Sequence, residues 1–223
     1  MKDNLVHVCF IIDRSGSMVG SESDIIGGFK KTIEEQKKLS TGGCIVSLYQ
    51  FDSKVVKYYI GKDVNDIPEF AYVLGGCTAL YDAVGTAVDE IGRWLNNMPE
   101  SERPGTNLIV IMTDGYENSS HEYSGSKIKK MIKHQEDKYS WRFLYLGADL
   151  NTTKDADTIG TKYRGFSSKK NLGNSYDAIN QTLCVTRSAK SVAEAVSLMD
   201  ASLTANTSYL NAEYAKETGI SLS

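Results

Sequence analysis

Two apolar runs that each end abruptly in an aspartate restrict the fold of this chain more than any other feature. The first run, residues 5–12, is followed by Asp13, and the second, residues 107–113, is followed by Asp114. Runs this apolar are typical of strands buried on both faces, which occur in parallel sheets. Open α/β sheets bind ligands at the carboxyl ends of such strands. The sequence therefore predicts a parallel sheet with acidic groups at its carboxyl edge.

The loop after the first run carries oxygen-bearing side chains at alternate positions. Asp13, Ser15 and Ser17 are spaced by two, and Gly16 lets the chain turn tightly between the serines. One carboxylate and two hydroxyls that face the same point offer a hard cation the oxygen ligands it prefers. The same residue types are common in strand-to-helix turns, where Ser17 or Ser21 would simply cap the next helix. This loop alone leaves both interpretations open.

Strands and helices alternate along the rest of the chain, which predicts an α/β fold with helices on both faces of a mostly parallel sheet. Asp52 and Ser53 form a connection short enough for a hairpin, so the third strand should be an antiparallel edge strand. Ser21 and Asn171 are the predicted caps of two of the helices. Strands are predicted at residues 5–12, 44–51, 54–60, 107–113, 141–146 (followed by 147–149) and 161–166, and helices at 21–39, 78–95, 126–138, a short stretch ending at 159, a stretch from 171 past 183, and 192–203.

The doubly wound strand order 3-2-1-4-5-6 makes the first and fourth strands neighbours. Asp13 and Asp114 would then lie side by side above the sheet. Thr78 opens the helix that precedes the fourth strand, and Gly75 and Gly76 before it allow a close approach of the backbone. The predicted constellation is therefore Asp13, Ser15, Ser17, Thr78 and Asp114.

Three short motifs, in this order along the chain, carry a resemblance to a known family. They are Asp-x-Ser-Gly-Ser-Met at 13–18, Gly-Gly-Cys-Thr-Ala-Leu-Tyr-Asp-Ala at 75–83 and Ile-Met-Thr-Asp-Gly at 111–115. Together they closely resemble the von Willebrand factor A (vWA) domain, and in particular its metal-ion-dependent adhesion site. The resemblance covers about residues 5–187 and looks greatest to stand-alone bacterial or phage-type members. It implies a Rossmann-like sheet with one antiparallel edge strand.

The resemblance also implies a bound divalent cation, usually Mg²⁺, with Mn²⁺ or Ca²⁺ as alternatives. Ser15, Ser17 and Thr78 would be direct hydroxyl ligands, and Asp13 and Asp114 would coordinate directly or through water. Mg²⁺ takes six oxygens, so this set leaves a position for an exchangeable water. A Glu or Asp carboxylate of a partner protein can replace that water. We therefore expect metal-dependent capture of an acidic protein partner.

Hydrolysis is the alternative function, because a strand-end acid with serines and Mg²⁺ also suits a Mg²⁺-dependent phosphohydrolase or another hydrolase. The sequence lacks the Gly-x-x-x-x-Gly-Lys-Ser/Thr loop and an Asp-x-Asp pair after the first strand. A Ser-His-Asp triad would need a histidine near Ser15 or Ser17, and the sequence places none there. We expect a binding module with no catalytic residues.

Net charge, hydropathy and cysteine spacing indicate where the protein is located and which classes of partner it lacks. The net charge of −3 argues against nucleic-acid binding, and no apolar run approaches the roughly 20 residues that cross a bilayer. The first apolar run leads into Asp13 without a small-residue cleavage pattern, so it does not read as a secretion signal. The cysteines show no Cys-x-x-Cys spacing and are expected to be reduced, buried thiols. These features predict a cytoplasmic protein without a membrane partner.

The chain is long enough for one α/β domain with a short appendage. We assign residues 1–189 to the vWA-like domain and residues 190–223 to a C-terminal helical extension and tail. The helical pattern weakens from Ala205, which predicts a frayed tail.

Overall fold

The structure, a computed structural model, describes residues 1–148 and 153–220. Six strands form one sheet in the order β3-β2-β1-β4-β5-β6, and β3 alone among them pairs in the antiparallel direction. This confirms the predicted strand order and the antiparallel edge strand. The strands are β1 (Lys2–Asp13), β2 (Gly43–Phe51), β3 (Val55–Asp63), β4 (Pro104–Thr113), β5 (Arg142–Gly147) and β6 (Tyr163–Phe166). Asp149, which follows the fifth predicted strand, lies outside the described residues.

Helices cover both faces of the sheet, as the alternating pattern predicts. One hydrophobic core lies between the sheet and α1, α5 and α6, and the other lies between the sheet and α2, α3 and α4. Alternate residues of β1 supply both cores, since Phe10 packs in the first and Ile11 in the second. The helices are α1 (Glu22–Lys38), α2 (Leu80–Asn96), α3 (Gly125–Tyr139), α4 (Thr153–Ile159), α5 (Leu172–Arg187) and α6 (Val192–Thr218).

The predicted helix caps are only partly right. α1 and α5 begin directly after Ser21 and Asn171, but neither side chain makes a capping hydrogen bond. The backbone N–H of Ser21 instead donates to the carbonyl of Met18, which continues the preceding turn into the helix. Side-chain caps occur at α3 and α6, where Ser124 and Ser191 accept from backbone N–H groups in the first turn.

The C-terminal helix corrects one prediction, because α6 continues to Thr218 and residues 205–218 are not a frayed tail. Polar residues hid the helical pattern in the sequence. Asn206 donates to the carbonyl of Ala178 on α5, and Asn211 pairs through its side-chain amide with the backbone of β6. These contacts face inward, so a polar residue at such a position does not mark an exposed face. The division of the chain at residue 189 stays a prediction, and residues 221–223 lie outside the described residues.

A row of neutral polar groups crosses the sheet through β3, β2, β1 and β4, with His7 near the middle of β1. Ser47 Oγ accepts from the N–H of Gly61 at 2.9 Å and lies 2.8 Å from His7 Nε2, and His7 Nδ1 lies 3.0 Å from Asn107 Oδ1. Every group is satisfied when the Ser47 hydroxyl donates to Nε2 and Nδ1–H donates to Asn107. Burial lowers the pKa of His7 to about 4, so its imidazole is neutral at physiological pH.

The cysteines differ in burial, and the helices differ from membrane spans in length and apolar character. All four cysteines are free thiols, but the prediction that they are buried holds only for Cys9 and Cys44, because Cys184 is half-buried and Cys77 is exposed. Burial raises the pKa of the Cys44 thiol to about 12, which keeps it protonated and unreactive. Among the helices that the structure describes, none has the length and apolar character needed to span a bilayer.

Candidate metal centre

Asp13 is the last residue of β1, and its carboxylate is fully buried at the carboxyl edge of the sheet. Its Oδ1 accepts from the backbone N–H of Ser15 at 2.7 Å, and its Oδ2 accepts from the hydroxyl of Thr113 at 2.5 Å. Burial raises the pKa of Asp13 to about 6, against the hydrogen bonds from Thr113 and Ser15, which lower it. The carboxylate is therefore fixed in position but poorly solvated, and a cation beside it would stabilise its charged form.

The two serines follow Asp13 on a tight turn, Gly16–Met18. Ser15 Oγ and Ser17 Oγ lie 3.0 Å apart, and Ser17 Oγ donates to Asp114 Oδ1 at 2.6 Å. Asp114 directly follows β4, so this hydrogen bond joins the loops of two adjacent strands. The structure thus brings together the predicted residues of the first and third motifs.

Thr78 reaches the same place from the loop before α2. Its backbone N–H donates to Asn118 Oδ1 at 2.9 Å, and the N–H of Asn118 donates back to the Thr78 carbonyl at 3.0 Å. The loop is also tied to the first one, because Gly16 N–H donates to the carbonyl of Gly76 at 3.0 Å. Thr78 is therefore held by backbone contacts on both sides, which leaves its hydroxyl available to a ligand.

Gly115 shows that the three loops converge on one point. A Cβ atom at this residue would lie 2.8 Å from Thr78 Oγ1, 2.9 Å from Ser17 Oγ and 3.5 Å from Asp13 Oδ2. Oxygen atoms from the loop after β1 and the loop before α2 therefore surround a space beside the third loop, and this space stays open because residue 115 has no side chain. An all-oxygen set with two carboxylates and three hydroxyls fits a hard divalent cation. That these residues bind a metal stays a prediction.

Hydroxyl groups are essential to this interpretation. Among residues 1–148 and 153–220, no group of three or more His, Cys, Asp or Glu side chains is arranged to hold a metal ion. The predicted site has only two carboxylates, Asp13 and Asp114, so it is not an acidic cluster of that kind. The serines and the threonine must supply the remaining protein ligands if a cation binds.

A network of acids fixes the loop that follows Asp114. The Asp82 carboxylate, on the first turn of α2, accepts three backbone N–H groups at 2.8–2.9 Å. Glu117 in turn accepts from the N–H groups of Tyr81 and Ser120, among others. The donors to Asp82 are His121, Glu122 and Tyr123. Asp82 and Glu117 therefore position the loop instead of extending the ligand set.

Sequence reasoning missed four residues whose side chains contact the predicted ligands, and one of them is Tyr72, whose hydroxyl donates to the Asp13 carbonyl at 2.6 Å. Thr113 donates to Asp13, Asn118 holds Thr78, and Lys169 forms an ion pair with Asp114, with Nζ 2.5 Å from Oδ2. The place of Thr113, directly before an aspartate at a strand end, is a signal that could have identified it. Nothing in the local sequence around Asn118 or Lys169 indicates their contacts, because these arise only from the packing of distant loops.

Comparison with solved structures identifies the fold of this chain. The chain aligns with the vWF domain of the type V pili tip protein Mfa5 from Porphyromonas gingivalis at a TM-score of 0.61 and 12% identity, covering 85% of this chain and 98% of that one. This chain has the vWA fold. The likeness extends over the whole Mfa5 domain, and it agrees with the six-stranded mixed sheet and the helices on both faces.

Two further vWA-fold structures contain metals. Proximal thread matrix protein 1 of the mussel byssus, with a zinc-occupied MIDAS motif, matches at a TM-score of 0.55 and 14% identity, over 82% of this chain and 47% of that one. The manganese-loaded TRAP protein of Plasmodium vivax matches at 0.50 and 15% identity, over 78% of this chain and 72% of that one. This chain thus spans about half of the mussel protein. No protein-family model and no curated protein matches the sequence.

Proposed function

We propose that this chain is a divalent-metal-dependent protein-binding module that captures a Glu or Asp side chain of a partner. The observation that carries the proposal is the convergence of Asp13, Ser17 and Thr78 oxygens on the open space at Gly115. In the proposed site these residues, with Ser15 and Asp114, hold Mg²⁺. The zinc and manganese in two structures of the same fold support a divalent cation, and Mn²⁺ or Ca²⁺ is the alternative metal.

The chemistry of the ligand set favours an acidic partner. A bound divalent cation supplies positive charge and an exchangeable coordination position. Asp13 is buried, and Asp114 is already shared with Ser17, so neither carboxylate reaches outward to fill that position. Three neutral hydroxyls add oxygen atoms without adding negative charge. A carboxylate from another molecule therefore completes both the coordination and the charge of the site.

Exposed apolar side chains on the site loops support a protein as the partner. Val19, directly after the first ligand loop, is 62% exposed; Val73, just before the second, is 69% exposed; and Tyr116, in the third, is 50% exposed. Large apolar side chains in contact with water around a polar centre are typical of protein-binding surfaces. A small phosphate ester would leave these side chains in water, whereas a protein surface would cover them.

The hydrolase alternative would need a base at the serines, but no histidine side chain among the described residues is hydrogen-bonded to Ser15 or Ser17. His7 is buried in the polar row near the middle of β1, and His134 on α3 packs against Tyr139. His121, in the loop after Asp114, is exposed, and its backbone N–H donates to Asp82. Catalysis would therefore depend on the two carboxylates that the metal needs. Mg²⁺-dependent hydrolysis of p-nitrophenyl phosphate by the wild-type protein, lost in Asp13→Ala, would favour the hydrolase instead.

The proposal is tested by selecting acidic peptides from a displayed library in Mg²⁺ and eluting them with EDTA. The wild-type chain should retain peptides that share a Glu or Asp, and a Glu→Gln or Asp→Asn change in the peptide should abolish retention. Asp13→Asn should retain none of them while melting cooperatively. Retention that persists in EDTA, or in the Asp13→Asn protein, would contradict the proposal.

The location, the origin and the excluded partners of the protein stay predictions from the sequence. These are a cytoplasmic location, a stand-alone bacterial or phage-type origin, and the absence of nucleic-acid and membrane partners. The peptide selection bears on none of them. A direct test of nucleic-acid binding at low salt is informative, because the electrostatic part of such binding is strongest there.

A further inference from the structure

Lys169 forms an ion pair with Asp114, whose carboxylate the proposed function assigns to the metal. Its Nζ lies 2.5 Å from Asp114 Oδ2, and it also donates to the backbone carbonyl of Ser17. The other oxygen of Asp114 accepts from Ser17 Oγ at 2.6 Å, so both carboxylate oxygens already have partners. The Asp114 side chain is fully buried, whereas the lysine side chain is 41% exposed and reaches the site from the solvent side.

The backbone around Lys169 is fixed, which keeps its side chain at the site. The lysine begins the short turn Lys169–Asn171 between β6 and α5. Glu217, near the end of α6, accepts from the hydroxyl of Ser168 at 2.9 Å with one carboxylate oxygen and from the amide of Asn171 at 3.0 Å with the other. Both ends of the turn are thus anchored, and the ammonium is a tethered cation and not a freely moving surface charge.

We propose that Lys169 is a resident cation of the metal centre, which a divalent ion must displace from Asp114. This inference rests on the proposed function, because it concerns the same ligand set. The ammonium, 2.5 Å from Oδ2, takes up the space beside this carboxylate, and its positive charge opposes the approach of a second cation to the same group. Binding therefore requires the lysine to move away, and the displaced positive charge still repels the arriving cation from nearby.

Two consequences follow for the metal-free and the metal-bound protein. Without metal, the lysine neutralises a buried carboxylate that would otherwise lie beside Asp13 without a counter-charge. With metal, the cation takes over that role and the lysine becomes dispensable. Lys169 should therefore stabilise the fold in EDTA and weaken metal binding, and both effects should disappear when its charge is removed.

The test is calorimetric titration of Mg²⁺ and Mn²⁺ into the wild-type chain, Lys169→Gln and Lys170→Gln. Lys170 is the matched control, because it is the adjacent lysine of the same turn and is exposed. Because the substitution removes both the ion pair that must break and the charge that repels the metal, Lys169→Gln should bind both metals about tenfold or more tightly than wild type. Lys170→Gln should bind as wild type does, and Lys169→Arg, which keeps the charge, should stay within a few-fold of it.

Thermal unfolding separates this role from a merely structural one. Lys169→Gln should melt below wild type in EDTA, and the difference should close in saturating Mg²⁺. If Lys169→Gln does not fold, Glu217→Gln provides a second variant, since it loosens the turn and should tighten metal binding in the same direction. Equal metal affinities in wild type and variant would overturn this inference alone. If neither protein binds metal, the proposed function fails, and this inference fails with it.

Discussion

Ser17 Oγ donates a 2.6 Å hydrogen bond to Asp114 Oδ1, although 97 positions separate the two residues in the sequence. The contact forms because β1 and β4 are adjacent parallel strands and each residue lies on the loop that follows its strand. The sheet itself therefore brings the predicted ligands together, without a bound cation. Variants that alter the centre should consequently change metal binding without unfolding the chain.

Asp13→Asn should remove the metal response and leave the fold intact. The amide keeps an acceptor for the N–H of Ser15 but supplies no charge to a cation. In wild type, Mg²⁺ at a hundred times the dissociation constant should raise the melting temperature by about 5–10 °C, and in the variant the shift should be absent. The measurement is thermal unfolding in EDTA and in Mg²⁺. Asp3→Asn, at an exposed position on the same strand, is the control and should respond as wild type.

Gly115→Ala should block the centre by filling it. Its methyl group would lie within 2.9 Å of Thr78 Oγ1 and Ser17 Oγ, in the space on which the ligands converge. Titration calorimetry should show a loss of Mg²⁺ binding of at least about a hundredfold, since two ligand hydroxyls must move away. Gly27→Ala is the matched control, because a Cβ there meets nothing within 4 Å. It should stabilise α1 by about 0.5–1 kcal/mol and bind metal normally. An alanine at 115 that binds Mg²⁺ as wild type would place the centre elsewhere.

Asp82→Ala should loosen the loop after Asp114. The substitution leaves three backbone N–H donors without their acceptor, and the expected loss in the free energy of unfolding is on the order of 2–3 kcal/mol. Urea unfolding measures the loss, and amide exchange should accelerate at His121, Glu122 and Tyr123. Asp89→Ala is the control on the same helix. The Asp89 carboxylate is exposed and accepts from the side-chain hydroxyl of Tyr123, so its loss leaves no backbone N–H without an acceptor. An equal loss in both variants would contradict the role given to Asp82.

Stability without metal should depend on the protonation of Asp13. Folding raises the pKa of this carboxyl to about 6 from its ordinary value near 3.9. The native state therefore binds more protons than the unfolded state between these values, and this group's contribution to the free energy of unfolding falls by about 2–3 kcal/mol as pH rises from about 4 to 6.

His7 contributes with the opposite sign, because folding lowers its pKa to about 4 and its contribution is lost as pH falls. Urea unfolding of the wild-type protein by itself, in EDTA, therefore does not separate the contribution of Asp13 to the free energy of unfolding from that of His7. The difference between wild type and Asp13→Asn does, since His7 is present in both proteins. That difference should grow from pH 4 to pH 6 in favour of the variant, and a difference that is constant with pH would show that Asp13 keeps an ordinary pKa.

Metal affinity should fall in acid for the same reason. A cation needs the charged form of Asp13, so binding releases a proton when the carboxyl is protonated beforehand. Below about pH 6 the dissociation constant for Mg²⁺ should rise towards tenfold per pH unit, and above pH 7 it should be nearly constant. Titrations in buffers of different ionisation enthalpy measure the released proton directly. An affinity independent of pH down to 4 would exclude Asp13 as a ligand.

The elements with strong local patterns could be predicted from the sequence, and those set by distant contacts could not. β1 from Val8 to Ile12 and β4 from Leu108 to Met112 are apolar and buried on both faces, and this property identified the strands and the acids that follow. α6 was predicted too short because Asn206 and Asn211 bond inward to other elements, which no local pattern reveals. Lys169 was missed for the same reason, since its turn meets Asp114 only in the folded chain.

The row formed by Gly61, Ser47, His7 and Asn107 has a consequence for the carboxyl edge of the sheet. Because β1 and β4 are apolar on both faces, hydrophobic burial alone does not distinguish their correct alignment from a slipped one. A slip would separate His7 from Asn107 and leave buried polar groups unpaired, which is costly. It would also move Asp13 along the strand by about 3.3 Å per residue relative to Asp114. Four neutral residues within the sheet thus fix the strand alignment that sets the spacing of the two aspartates at its carboxyl edge.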